Sequence, residues 1–137
     1  ERRMTTMDQA LERTYPKPSI NMETEAYWAA AKAGKLVLKK CNACGKTHFY
    51  PRAICPLCTS SDTAWYDASG KGVIYSYSVM RRGATPYAIA YVTLDEGVTM
   101  MTNIVDCDFD SLAIGQAVEV TFRATEGDQV LPVFRPI

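Results

Sequence analysis

The second half of the chain alternates apolar and polar residues in short runs, which is the pattern of half-buried β-strands. Tight turns of the Asp-Glu-Gly and Glu-Gly-Asp type separate some of these runs. A series of five strands is typical of a small closed Greek-key barrel of the oligonucleotide/oligosaccharide-binding (OB) type, although an SH3-like barrel or a small sandwich would fit the same count. The predicted strands are Val73–Arg82, Tyr87–Leu94, Val98–Val105, Ala117–Arg123 and Val130–Phe134.

The beginning of the chain has the spacing of a short amphipathic helix. Met4, Met7 and Leu11 recur at intervals of three and four over residues 4–13. The prolines within Tyr15–Pro18 then interrupt the pattern, because each proline lacks a backbone donor and restrains the residue before it. We therefore predict a first helix that ends before residue 15.

A second helix is predicted from about Thr24 to Ala33, and Gly34 is suited to end it. Its aromatic residues Tyr27 and Trp28 belong to its apolar stripe. Two roles are open for them. They pack the helix onto the segment that follows, or the two helices together form one wall of an acyl-binding groove or a partner surface.

Two Cys-x-x-Cys pairs follow the second helix, and their spacing indicates a metal site. Such a turn points two thiolates at one centre, and zinc takes four ligands in a tetrahedron at about 2.3 Å from sulfur. Gly45 after the first pair suits the positive φ of this turn, whereas Thr59 takes the corresponding place after the second. The predicted zinc ligands are Cys41, Cys44, Cys55 and Cys58.

Because all four ligands are thiolates, no position is left for water, and we expect a structural rather than a catalytic zinc. Iron in a rubredoxin-like site is the alternative metal, and a redox dithiol pair is the alternative without metal. Short segments at residues 36–40, which begin with Leu-Val-Leu, and at residues 64–66 flank the cysteines and predict the strands of a ribbon. The predicted fold is mainly β with N-terminal helices: a helical segment over 1–35, a rubredoxin-like zinc ribbon over 36–68 and a five-stranded OB-fold barrel over 71–137.

Composition limits the class of protein further. The chain has 137 residues, and 47% of them are hydrophobic, which is enough for a globular core. No run approaches the roughly 20 apolar residues of a membrane helix, and the N-terminus lacks the apolar centre of a signal peptide. We therefore expect a cytoplasmic protein without membrane contact. An odd number of cysteines, four of them in close pairs, favours metal over disulfides.

Charge is distributed unevenly along the chain. Residues 1–60 contain ten Lys/Arg and five Asp/Glu, whereas residues 61–137 contain five and ten. A groove that follows nucleic-acid phosphates should be basic, so the acidic barrel argues against nucleic acid. Tyr75 and Tyr77 lie two apart in the first barrel strand and are expected on one face, where core packing explains them as well as base stacking does. A nucleic-acid-binding zinc-ribbon/OB module is kept as an alternative.

The residues contain no recognisable catalytic set. His48 is the only histidine and lies between the two cysteine pairs, where we expect a strand residue rather than a fifth ligand or a base. Cys107 stands between Asp106 and Asp108, and these carboxylates disfavour a thiolate. The residues alone therefore predict a binding or scaffolding module.

Several motifs follow one another from about residue 20 to the C-terminus: Thr24–Ala29, Gly34–Leu38, Cys41–Gly45, Phe49–Arg52, Cys55–Cys58, Gly72–Tyr77, Leu94–Gly97 and Leu131–Pro136. In this order the chain resembles the family of small zinc-ribbon/OB-fold proteins associated with acyl-CoA metabolism, long labelled as a domain of unknown function. The resemblance implies a non-catalytic subunit of a thiolase-superfamily enzyme, which would be a thiolase, an acyltransferase or an aldolase. The catalytic residues would belong to the larger partner.

The resemblance also implies acyl-CoA as a ligand of the complex, and two sets of residues are candidates for contacting it. The CoA phosphates would be bound by the basic residues Lys39, Lys40, Lys46, Arg52, Arg81 and Arg82. An acyl groove or a partner contact would be formed by the aromatic residues Tyr27, Trp28, Phe49 and Tyr50. A freestanding acyl-CoA carrier is the alternative function in this class.

Overall fold

The computed structural model describes residues 15–83 and 85–137. Within these ranges there is one α-helix, α1 (Glu25–Lys32). It agrees with the second predicted helix and ends before Gly34, which has a φ of 83°. The helix predicted over residues 4–13 lies outside the described residues, so the prediction of more than one N-terminal helix is not confirmed.

A small antiparallel sheet follows α1. Its strands are β1 (Val37–Cys41), β2 (Thr47–His48) and β3 (Thr63–Asp67). Strand β1 lies in the middle and pairs with β2 on one side and β3 on the other. The first cysteine ends β1, and the other three lie in the turns that join these strands. This sheet is the predicted ribbon.

The remaining strands form a closed barrel in the order β4-β5-β6-β8-β7. All neighbours are antiparallel except β6 and β8, which run parallel. A five-stranded closed barrel is thereby confirmed, and a sandwich is excluded. Every predicted strand lies within two residues of the observed one: β4 (Lys71–Met80), β5 (Tyr87–Leu94), β6 (Thr99–Ile104), β7 (Ala117–Ala124) and β8 (Val130–Pro136). One 3₁₀ turn, Phe109–Ser111, connects β6 to β7.

One continuous core joins the helix, the ribbon and the barrel. Tyr27 and Trp28 of α1 belong to the same buried cluster as Leu38 of β1 and Ile74 and Phe134 of the barrel. Burial of such apolar side chains contributes about 1.5–3 kcal/mol each. The helix therefore fixes the ribbon against the barrel through shared hydrophobic contacts.

Gly72 marks the place where β4 passes closest to β5. A Cβ atom at this position would lie 2.4 Å from the carbonyl oxygen of Thr93 and 3.1 Å from the Cα of Leu94. Backbone atoms of a paired strand cannot move aside as a side chain can, so only glycine fits here.

Within the described residues, no helix is both long and apolar enough to cross a membrane.

Candidate metal centre and binding surfaces

The four cysteine sulfurs of the ribbon converge on one point. All four lie within 4.8 Å of one another. Cys41 Sγ is 3.4 Å from Cys58 Sγ, and Cys44 Sγ is 3.8 Å from Cys55 Sγ. A tetrahedral zinc with bonds of about 2.3 Å would separate its sulfurs by about 3.8 Å. The donor set and its dimensions therefore fit a four-thiolate metal ion.

Backbone amides in the two turns also point at the sulfurs. The amide of Cys44 donates to Cys41 Sγ at 3.4 Å, and the amide of Leu57 donates to Cys55 Sγ at 3.4 Å. Hydrogen bonds of this kind stabilise the thiolate over the thiol. The turns thus supply ligands and the amide dipoles that a thiolate-rich metal site requires.

Cys41 and Cys58 do not ionise equally well. Hydrogen bonding from the Cys44 backbone amide lowers the pKa of Cys41 to about 7, against the opposing effect of burial. At Cys58 the Ser60 backbone amide lowers the pKa, but the hydrogen bond to Cys41 and desolvation outweigh it and raise the pKa to about 12. A bound cation would offset this repulsion among neighbouring sulfurs, so ionisation of the whole set is coupled to metal binding.

His48 is a buried strand residue and stands apart from the sulfur cluster. Its side chain is 5% exposed, and its Nε2 accepts a hydrogen bond from the Arg52 amide at 3.4 Å. Burial, followed by the charges of Lys39 and Arg52, lowers its pKa despite the opposing Arg52 hydrogen bond. The imidazole is therefore neutral at physiological pH, and with Nε2 as acceptor its proton lies on Nδ1.

Cys107 lies between β6 and the 3₁₀ turn, outside the cluster. Desolvation raises the pKa of its thiol to about 11, and the carboxylates of Asp108 and Asp106 add to the shift. The thiol is therefore almost entirely protonated at neutral pH, as expected for a residue that is not a nucleophile.

The four aromatic candidates come together where α1 meets the ribbon. Tyr27 lies 5.0 Å from Trp28, 5.8 Å from Phe49 and 5.4 Å from Tyr50, between ring centroids. Trp28 Nε1 donates to the Tyr50 hydroxyl at 2.9 Å. Tyr27 is 3% and Trp28 is 6% exposed. These two residues pack the helix onto the ribbon, and Tyr50 is the member that reaches the surface.

Lys39 is turned away from solvent. Its ammonium donates to Thr63 Oγ1 at 3.1 Å and lies 4.8 Å from the centre of the Trp65 ring. The residue is 9% exposed. Lys39 therefore interacts within the ribbon, and little of its ammonium group is accessible to a phosphate.

The other basic candidates lie on different elements. Arg52 is 4.0 Å from Glu23 in the ribbon, whereas Arg81 pairs with Asp110 at 2.6 Å on the barrel. All of these cations are exposed, and the pairs are therefore weak. Four of the six make no ion pair with any described residue: Lys39, Lys40, Lys46 and Arg82.

The barrel has an exposed apolar face that the sequence did not predict. Tyr91 of β5 lies directly opposite Met101 of β6, and their exposures are 48% and 61%. Ile89 and Tyr75 extend the same surface, at 38% and 67%. No Asp, Glu, Lys or Arg occurs in residues 72–80, 87–94 or 99–104. We call Tyr75, Ile89, Tyr91 and Met101 the outer face; depletion of charge and enrichment in Tyr and Met are typical of protein interfaces.

A β-bulge in β4 decides which tyrosine joins this face. The register shifts between Ile74 and Ser76, so Tyr75 is the extra residue. After the bulge Tyr77 pairs with Ala90, which is 1% exposed and faces the interior. The Tyr77 hydroxyl donates to the Leu112 carbonyl at 2.9 Å. The register therefore places Tyr75 and Tyr77 on opposite faces of β4, contrary to the expectation, because the bulge breaks the alternation; Tyr77 is nevertheless 37% exposed.

A sequence signal for the outer face does exist in β5. The run Tyr87–Leu94 is apolar at every position except Thr93, with Ala88, Ala90, Val92 and Leu94 buried on the inner side and Ile89 and Tyr91 exposed on the outer. A barrel strand whose inner face packs on the core and whose outer face meets solvent should be polar on the outer face. Apolar residues on both faces are typical of a strand that is covered on both sides.

Family models match most of the chain. The model described as the ChsH2 rubredoxin-like zinc ribbon domain matches residues 28–64, and that described as the ChsH2 C-terminal OB-fold domain matches residues 65–123. The zinc-ribbon and OB-fold assignments made from the sequence are thereby confirmed.

Similar proteins include a DUF35 domain-containing scaffold protein of Methanothermobacter thermautotrophicus, 43% identical over 91 residues that cover 61% of this chain and 68% of that protein. A probable enoyl-CoA hydratase alpha subunit of Thermomonospora curvata is 36% identical over 88% of this chain, which spans only 40% of that protein. A solved structure of an Ltp2-ChsH2(DUF35) aldolase superposes with a TM-score of 0.77 at 35% identity, covering 88% of this chain and 98% of that chain.

Proposed function

Since the chain belongs to the DUF35 family of zinc-ribbon and OB-fold proteins, we propose that it is the non-catalytic, zinc-binding subunit of a thiolase-superfamily enzyme acting on acyl-CoA. The partner would be a thiolase, an acyltransferase or an aldolase. It would supply the catalytic residues, and this chain would shape or bridge its active site.

The main support for this proposal is the structural match to the Ltp2-ChsH2(DUF35) aldolase chain, because the match covers 98% of that chain. The outer face supports it independently. An exposed surface of Tyr75, Ile89, Tyr91 and Met101, with no Asp, Glu, Lys or Arg in residues 72–80, 87–94 or 99–104, is costly in water unless a partner covers it. The names of the similar proteins, a scaffold protein and an alpha subunit, agree with a subunit role.

Zinc in this proposal is structural. Cys41, Cys44, Cys55 and Cys58 would be its ligands, and they would fill its coordination shell. The metal would keep the ribbon folded, and the ribbon together with α1 would be fixed against the barrel through the shared core.

The division into a helical segment 1–35, a ribbon 36–68 and a barrel 71–137 is part of the same proposal. It is supported by β3 pairing with β1 rather than with the barrel. Such a set of free thiols fits the reducing cytoplasm.

Contact with acyl-CoA is a finer part of the proposal. The exposed cations Lys40, Lys46, Arg52, Arg81 and Arg82 remain candidates for the CoA phosphates, while the buried Lys39 is the least suited of the original set. Lys40 has the best surroundings, since it lines an open cleft of about 400 Å³ on the ribbon with Asn42 and Thr47. Tyr50 is the aromatic candidate with a surface to offer a partner or an acyl chain.

Co-purification from the native host tests the subunit role. The tagged wild-type chain should recover a thiolase-superfamily enzyme, and Tyr91→Asp should lose it because a charge on the outer face would be buried without a partner. Ile114→Asp is the matched control, since Ile114 is 72% exposed and lies outside the outer face. Recovery of no such enzyme by the wild-type chain would overturn the proposal.

Calorimetry distinguishes the alternative of a freestanding carrier. A carrier would bind an acyl-CoA as the isolated chain, whereas the subunit should bind it only when joined to its partner. The nucleic-acid alternative has less support, because the outer face lacks the cations that would bind phosphates.

A further inference from the structure

Lys39 is a buried cation without a carboxylate partner in the described part of the chain. Among the described residues it is the one lysine or arginine that is buried. It makes no ion pair with any described Asp or Glu. Removal of a charge from water is costly unless an opposite charge lies close by. A buried lysine of this kind therefore points to a different source of negative charge.

The direct contacts of its ammonium do not supply that charge. Lys39 Nζ donates to the hydroxyl of Thr63 at 3.1 Å and lies 4.8 Å from the centre of the Trp65 ring. A hydroxyl oxygen and an aromatic face both attract a cation, but neither carries a formal negative charge. These contacts therefore fix the position of the ammonium without neutralising it.

Strand pairing places the ammonium beside the first metal ligand. Lys39 and Cys41 are two residues apart in β1, so their side chains lie on the same face of the ribbon sheet. Thr63 lies directly opposite Cys41 in the register of β1 with β3. Side chains in such a pair are close neighbours. Because Lys39 reaches along the strand to the Thr63 hydroxyl, its ammonium lies next to the Cys41–Thr63 pair.

The same chain of hydrogen bonds reaches towards the second cysteine pair. Thr63 Oγ1 donates to the Ala53 carbonyl at 3.4 Å, and Ala53 lies two residues before Cys55. Cys41 and Cys55 are both fully buried, so solvent screens charges weakly at this place. The ammonium is thus held between the strand that carries the first predicted ligand and the segment that leads to the third.

We propose that Lys39 compensates the charge of the metal centre, and that the thiolate–metal cluster is the counter-ion of this buried ammonium. Four thiolates and one divalent ion carry a net charge of two negative units. Each group would otherwise be a charge removed from water, so the interaction stabilises both. Groups that surround the ligands in this way tune the affinity of a metal site. The inference rests on the metal centre of the proposed function and is independent of the partner enzyme.

Zinc affinity, measured by competition with a chelator, tests the role of the charge. Lys39→Met keeps a long side chain but removes the charge, and the affinity should fall at least about tenfold. Lys39→Arg keeps the charge and should stay within about threefold of the wild type. Lys39→Gln, which is also uncharged, takes the place of the methionine variant if that variant does not fold.

Lys40→Met is the matched control for these variants. Lys40 is the exposed neighbour of Lys39 on the opposite face of β1, so its loss should change zinc affinity by less than about twofold. An equal loss of affinity in Lys39→Arg and Lys39→Met would assign Lys39 to packing alone and overturn the inference.

Iron in place of zinc supplies a second readout, whose sign distinguishes charge from packing. Reduction of a four-thiolate ferric site adds one negative charge, so a nearby cation favours the reduced form. Lys39→Met should shift this one-electron equilibrium about tenfold towards the oxidised form, which lowers the reduction potential by about 59 mV. A loosened site that admits water would favour the more highly charged reduced form and raise the potential. An unchanged or raised potential would therefore contradict the inference.

The outcomes separate this inference from the proposed function. If the wild-type chain binds neither zinc nor iron, the metal centre and the role of Lys39 are both excluded. If the wild-type chain binds metal and Lys39→Met leaves affinity and potential unchanged, only the role of Lys39 is excluded, and the zinc-binding subunit stands.

Discussion

Gly45 and Thr59 have the same left-handed backbone conformation at corresponding places after the two cysteine pairs, with φ of 77° and 66°. The Gly45 amide donates to the Cys41 carbonyl at 2.8 Å, and the Thr59 amide donates to the Cys55 carbonyl at 2.9 Å. The two turns are therefore built alike, but only the first has a residue that adopts this φ without strain. The metal-binding geometry, not the preference of threonine, dictates the second.

Thr59→Gly should therefore stabilise the metal-loaded protein. Relief of left-handed strain, about 1–2 kcal/mol for a residue with a Cβ, should exceed the added entropy of an unfolded glycine, about 0.5–1 kcal/mol. We expect the free energy of unfolding to rise by about 0.5–1 kcal/mol in chemical denaturation. Thr59→Ala is the control, because it keeps the Cβ and the strain. A drop in stability for the glycine variant would show that the Thr59 hydroxyl, which donates to the Cys58 carbonyl at 2.5 Å, matters more.

Cys58→Ser should remove one of the four metal ligands. Zinc per chain should fall, and the protein should lose several kcal/mol of stability because metal binding is coupled to folding of the ribbon. Metal analysis and thermal unfolding measure both effects. Cys107→Ser is the matched control, since Cys107 lies outside the cluster. Equal zinc content in the two variants would contradict the four-thiolate site.

Gly72→Ala should destabilise the barrel by about 1–3 kcal/mol, the usual cost of forcing extra atoms into a packed interior. The added Cβ would meet the Thr93 carbonyl oxygen at 2.4 Å, and relief requires separation of β4 from β5. Val73→Ala in the next position, where the side chain is 43% exposed, should change stability far less. Denaturant unfolding of the two variants checks this, and an equal effect would argue against the close approach.

Alkylation of Cys107 should be slow at pH 8 and should increase about tenfold for each pH unit up to pH 10. The raised pKa of about 11 keeps the thiolate fraction small throughout this range. The rate is best followed by mass spectrometry on the metal-loaded protein, in which the other four thiols would be ligands. Asp108→Asn should increase the rate several-fold, because removal of the carboxylate lowers the thiol pKa. A rate independent of pH between 8 and 10 would show that the thiolate is already formed.

Features that depend on neighbouring residues could be predicted from the sequence. The cysteine spacing indicated a four-thiolate site, and the period of apolar residues placed α1 and the seven strands that were predicted. Both are local signals, because ligand spacing in a turn and alternation along a strand involve only residues close in the chain. Tyr77 shows the limit of this reasoning, since one bulge at Tyr75 reversed the face on which the next tyrosine lies.

Features that depend on pairing between distant segments were decided only by the tertiary structure. The sequence made Lys39 a candidate for binding the CoA phosphates, but Trp65 and Thr63 come to it from β3, more than twenty residues away, and bury it. In the same way, Tyr91 and Met101 form one surface through the β5–β6 register. The sequence by itself thus determined the local elements and the metal ligands. The pairing of distant segments determined which side chains remained exposed, because exposure depends on what lies opposite each residue in space.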